Sequence, residues 1–97
     1  MSKVFKALAH PTRRAILRML REREMSAGEI AERFDLSKPT LTGHFNTLRD
    51  ADLVEVQRQG TTLIYRINAS VLEEALLESM DAFGFATGRN VSNEAQT

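Results

Sequence analysis

Apolar positions recur at helical spacing through the first half of the chain and alternate in one later stretch, so the change of period divides the sequence into elements. Val4, Phe5 and Leu8 make a short first helix that stops before Pro11, because the residue preceding a proline is pushed out of the helical region. Pro11 sits at the first turn of a second helix over residues 11–23, with Ala15, Ile16, Met19 and Leu20 inward and Arg13, Arg14, Arg18 and Arg21 on the other faces. Ser26 to Glu29 reads as a capping box that opens a third helix with Ile30, Ala31 and Phe34 inward. Asp35 to Ser37 breaks the pattern, and Ser37 caps a fourth helix over 38–51, with Pro39 in its first turn and Leu41, Phe45 and Leu48 inward.

From Leu53 the period becomes two. Val54 and Val56, then Leu63, Tyr65 and Ile67, alternate with polar neighbours around an Arg58 to Thr61 turn with Gly60 at its tip, which predicts a β-hairpin. Ser70 to Glu73 reads as a second capping box, opening a fifth helix with Leu72, Ala75, Leu76, Met80 and Phe83 on one stripe and Val71, Leu77 and Phe85 beyond it. The expected class is mainly α with a β-hairpin wing (α+β), in the order four helices, two strands, one helix. Two helices joined by a short break, then a hairpin with a polar tip, is the order of a winged helix-turn-helix. The domain is expected over 1–86, carrying both DNA binding and dimerisation, with 87–97, which lacks periodicity, as a disordered tail.

Composition narrows the function classes. At 97 residues the chain has room for one module and none for a catalytic core with a regulatory lobe. No run approaches the roughly 18 apolar residues of a membrane span, and the first residues lack a signal-peptide core, so a cytoplasmic protein without membrane insertion is expected. The absence of cysteine removes disulfides, thiolate ligands and thiol nucleophiles, and two histidines leave little for a metal site, so neither metal nor other cofactor is expected. Ser37 and His44 stand about two helical turns apart, roughly 10 Å along the axis, with no orienting third group; an enzyme is not expected.

The formal charge of zero hides an asymmetry. Residues 1–68 carry 12 Lys and Arg against 8 Asp and Glu, whereas 69–97 carry one Arg against 5 acids. A basic front is what a polyanion binder needs. On the fourth helix the outward arc is expected to hold Lys38, Pro39, Thr40, Thr42, Gly43, His44 and Asn46, capped by Ser37: short or hydrogen-bonding groups suited to the major groove. His44 there would donate to phosphate, and Arg58 and Gln59 would reach phosphates or the minor groove from the wing, with Arg13 a further phosphate contact. Double-stranded DNA is the expected partner. Helices one and five carry more apolar surface than so small a core absorbs, which assigns Val4, Phe5, Leu8, Leu72, Leu76, Met80 and Phe83 to a homodimer interface. A winged helix that binds protein instead of DNA is the competing class.

His10 to Leu17, Ser26 to Ala31, Ser37 to Leu48, Ala51 to Val54, and Arg58 to Gly60 with Tyr65 resemble the ArsR-type winged-helix repressors, over about residues 3–85. Within that family the wording is similar to an autorepressor subgroup typified by the repressor of bacterial sporulation-delay operons. The resemblance implies a dimeric transcriptional repressor acting on an inverted-repeat operator, with residues 37–46 in the major groove and the Arg58 to Thr62 turn as wing. It departs from the family where an acidic residue often precedes the proline and His10 stands here, and where Gly43 replaces a larger polar residue. The family's metal-sensing cysteines and last-helix histidines are missing, which leaves Glu73, Glu74, Glu78 and Asp81 alone on the fifth helix. For release from DNA three routes stay open: a sequestering protein partner, a membrane-bound one included; a small molecule between helices one and five; or no signal.

Overall fold

A computed structural model describes residues 2–85 of the protein. The elements are α1 (Ser2–Leu8), α2 (Pro11–Glu22), β1 (Met25–Ser26), α3 (Ala27–Ala31), α4 (Lys38–Asp50), β2 (Val54–Gln59), β3 (Thr62–Ile67) and α5 (Ala69–Ala82). The order agrees with the sequence reading save for β1, a two-residue strand too short for periodicity to reveal. It pairs antiparallel with β3, Met25 opposite Tyr65, so the sheet runs β1-β3-β2 and the wing is a three-stranded sheet. The expected tail, 87–97, lies outside the described residues.

Pro11 opens α2 as expected, and the residue before it supplies the cap: His10 Nδ1 accepts from the Thr12 amide at 3.1 Å. An imidazole thus does what an acidic side chain does at such a position. The capping box at α3 forms in full, with Glu29 N–H donating to Ser26 Oγ at 3.0 Å and Ser26 N–H to Glu29 Oε1 at 2.9 Å. Those bonds and Arg23, 3.1 Å from Glu29 Oε2, hold the Glu29 carboxyl below the ordinary carboxylate value. Because α3 ends after little more than one turn, Ile30 is buried and Phe34 half-buried, while Ala31, expected inward, is rotated to solvent.

The second expected capping box does not form. The helix starts two residues earlier, at Ala69 with Asn68 at the N-cap, and Ser70 Oγ donates to Asn68 Oδ1 at 3.1 Å instead of capping an amide. What fixes the start of α5 is the Asn68 amide, which donates to the Leu53 carbonyl at 2.8 Å. The hairpin turn is also tighter than expected: Arg58 and Gln59 belong to β2, Gln59 faces Thr62, and only Gly60 and Thr61 turn the chain. Gly60 has φ 64°, which a two-residue type II′ hairpin requires at its first position.

The core is one cluster. Ile16, Leu17 and Leu20 of α2, Ile30 of α3, Leu41, Phe45 and Leu48 of α4, Leu53, Val54 and Tyr65 all reach it, closed below by Val4 and Ala7 of α1 and by Ala75 of α5. Leu48, Leu53, Ile30 and Ile16 are wholly enclosed, so the helix-turn-helix and the wing share one packed interior.

Candidate nucleic-acid interface

With Leu41, Phe45 and Leu48 buried, α4 presents Lys38, Pro39, Thr40, Thr42, Gly43 and Asn46 to solvent. The cap at its start is made by Ser37, whose Oγ accepts from the Thr40 amide at 3.3 Å and donates to Thr40 Oγ1 at 2.8 Å. These two hydroxyls form a fixed pair at the helix N-terminus. At Gly43 an added Cβ would meet nothing within 4 Å, so no intramolecular contact accounts for the glycine. Beyond the chain's own packing, the bare backbone there leaves room for an approaching surface.

Lys38, Thr42, Asn46 and Arg49 fall on one line down α4, at steps of four, four and three residues. They edge a cleft of about 410 Å³ whose far wall is Leu63 and Tyr65 of β3. Burial pushes the Tyr65 phenol above its ordinary value of 10.0, against the pull of the Arg49 guanidinium. Arg49 is absent from the residues expected at sequence level. Its signal was present in the spacing, seven residues beyond Thr42 on the same face.

Arg58 and Gln59 are exposed at the end of β2, beside the Gly60 turn, as a wing tip requires. Below them on the solvent face Arg66 pairs with Glu55 at 3.1 Å across the register, an exposed pair of small energetic value.

Two expected contacts are placed elsewhere. His44 does not lie on the outward arc: it is 8% exposed, between Leu41 and Leu48 at three and four residues' spacing, on the face that packs inward. Its ring sits 4.4 Å from that of His10, and its Nδ1 lies 3.0 Å from Arg13 Nη1. Burial first, then the charges of His10 and Arg13, lower its pKa from 6.5. Arg13 is likewise committed inside the protein. Its Nε donates to the Ala7 carbonyl at 2.8 Å and its Nη2 to that of Lys6 at 3.0 Å, while Arg14 Nη1 donates to Leu8 at 2.7 Å. The two arginines thereby bind carbonyls of the last turn of α1, where Lys6 also accepts from the Ala9 amide at 3.2 Å.

The expected dimer residues divide in three. Phe5, Leu76, Met80 and Phe83 are exposed, Phe83 to 78%, with Leu77 and Phe85 beside them. Val4, by contrast, is buried in its own core, because the Val4 and Ala7 face of α1 is the one that packs inward and Phe5 is turned away from it. Leu8 and Leu72 are half-buried against the same core.

Among the described residues no group of three or more His, Cys, Asp or Glu could hold a metal ion, and no helix is long and apolar enough to cross a membrane.

A family model described as a helix-turn-helix domain matches residues 8–57. The chain is 42% identical over 76 residues to the transcriptional repressor SdpR of Bacillus subtilis, across 78% of this chain and 84% of that protein. It is 36% identical over 77 residues to the regulator KmtR of Mycobacterium tuberculosis, across 79% of this chain and 59% of that longer protein. An ArsR-like transcriptional regulator from Rhodococcus has the same fold, with a TM-score of 0.74 at 28% identity over 98% of this chain and 89% of that one.

Proposed function

This chain belongs to the ArsR family of winged helix-turn-helix transcriptional regulators, and from that premise we propose a homodimeric repressor of an inverted-repeat operator, its own promoter included. The observation that carries the reading is the exposed line of Lys38, Thr42, Asn46 and Arg49 on a helix anchored to the wing. An α-helix fits the major groove, and its N-terminal residues reach base edges. Thr42 and Asn46 then read bases, bare Gly43 lets the helix come close, and Pro39 sits at the entry. Lys38, Arg49 and the Ser37–Thr40 hydroxyl pair hold phosphates. Arg58 and Gln59 extend the contact from the wing.

The stripe of Leu76, Met80 and Phe83 on α5, with Phe5 of α1, supports pairing of two copies, since so many large apolar groups are costly to leave in water on so small a domain. A two-fold pair places two recognition helices on one DNA face about 34 Å apart. Repression follows from occupancy of the promoter. In the same proposal release comes from a sequestering protein partner, membrane-bound in the form the resemblance implies, with a small molecule between helices one and five or the absence of any signal as the alternatives; the chain has no cysteine to sense thiol chemistry.

Footprinting on the duplex upstream of the protein's own gene tests this reading. Two protected half-sites about 10 base pairs apart, or a multiple of that, support it; a single protected patch at all concentrations contradicts the paired mode.

A further inference from the structure

A guanidinium carries only donors, so the 3.0 Å contact between Arg13 Nη1 and His44 Nδ1 requires an unprotonated Nδ1 on His44. The ring is therefore neutral, with its proton on Nε2. The neighbouring ring, His10, has its Nδ1 turned to the Thr12 amide, from which it accepts. The two imidazoles lie 4.4 Å apart, with their planes inclined by 49°. The charged and titratable groups that act on His44 both come from the start of α2, namely His10 and Arg13. From α1 it is the carbonyls of Lys6 and Ala7 that enter the cluster, both bound to Arg13.

Three helices therefore meet through one guanidinium. Arg13 joins the end of α1 to the middle of α4, and His44 stands between the exposed positions Thr42, Gly43 and Asn46. Protonation of His44 Nδ1 would turn the contact into donor against donor, between like charges, in a site 8% exposed.

We propose that the Arg13–His44 hydrogen bond is a tether that fixes the seat of the recognition helix, and that acid releases it, so that DNA affinity falls on acidification. Arg13 and His44 are positioning residues in this account and touch no DNA. The inference rests on the DNA-binding reading only for its second half, since the tether itself is a property of the free protein. Its sign is distinctive: a histidine facing phosphate would bind DNA more tightly on protonation, as added positive charge does in general.

The test is a ¹⁵N nuclear magnetic resonance titration of the free protein from about pH 7.5 to 5.5, through the ordinary histidine range. Expected are the Nε2–H tautomer of His44, a midpoint below 6.5, and α4 amide signals that move with it. In parallel, affinity for a labelled duplex from the protein's own upstream region is followed at constant ionic strength. The wild type should lose roughly tenfold over that range, the size of one charged hydrogen bond. His44→Gln, whose amide oxygen can accept from Arg13 at every pH, should lose far less; His10→Asn, which keeps an acceptor at the cap, separates the second imidazole. A midpoint at or above 6.5, α4 amides that stay still while His44 titrates, or an undiminished acid loss in His44→Gln overturns the tether. Failure to bind any duplex at pH 7.5 overturns the repressor reading and leaves the tether to the resonance data.

Discussion

Phe45 of α4 and Tyr65 of β3 stack with ring centroids 4.5 Å apart and planes inclined by 27°. Both are buried, so the recognition helix and the wing are joined through a packed aromatic pair. Phe45→Leu keeps the apolar character and removes the stack; it should cost about 1–2 kcal/mol in urea unfolding and weaken contacts made by helix and wing together.

The line on α4 separates two kinds of contact. Thr42→Ala and Asn46→Ala should each cost about 1–3 kcal/mol on the operator duplex and little on a scrambled one. Lys38→Ala and Arg49→Ala should weaken both duplexes alike and reduce the slope of log affinity against log salt by about 1 each. Anisotropy titrations at several salt concentrations distinguish the pairs.

Charge on the α5 stripe should separate the protomers. The double variant Leu76→Glu, Met80→Glu changes residues 45% and 38% exposed, so the fold should survive while sedimentation shifts from two copies to one. Operator affinity should then fall by at least about a hundredfold, through loss of linked binding by two half-sites. Unchanged mass would place the interface elsewhere.

The α3 cap gives a stability effect with a defined sign. The Glu29 carboxyl titrates below 4.5 in the folded protein, so its contribution is complete above 4.5 and is lost as pH falls through the folded value. Glu29→Gln should melt lower than the wild type at neutral pH, and the gap should close in acid. A gap that widens in acid would contradict the capping box as its source.

Much of this was legible in the sequence because the determinants are local. Pro11, Ser26 with Glu29, Ser37 with Pro39, and Gly60 mark element ends by backbone chemistry that acts within a few residues. β1 was not legible, since a two-residue strand exists only through its pairing with β3. His44 follows the period of Leu41 and Leu48, three and four residues away, and is buried with them, although its polar side chain points to the outward arc in a reading by residue type. Arg13 and Arg14 were unreadable for a different reason. Their partners are carbonyls of α1, and nothing in a side-chain pattern reports where a helix end will meet a guanidinium.

Reading of a particular operator by α4 is tested most directly by titration of the purified protein into a labelled duplex from upstream of its own gene, at two salt concentrations, beside a scrambled duplex of equal composition. A preference for the upstream duplex that persists as salt rises and disappears in Thr42→Ala is the predicted result. Equal binding to both duplexes, erased by salt in each, would contradict it and reduce the α4 line to a basic face.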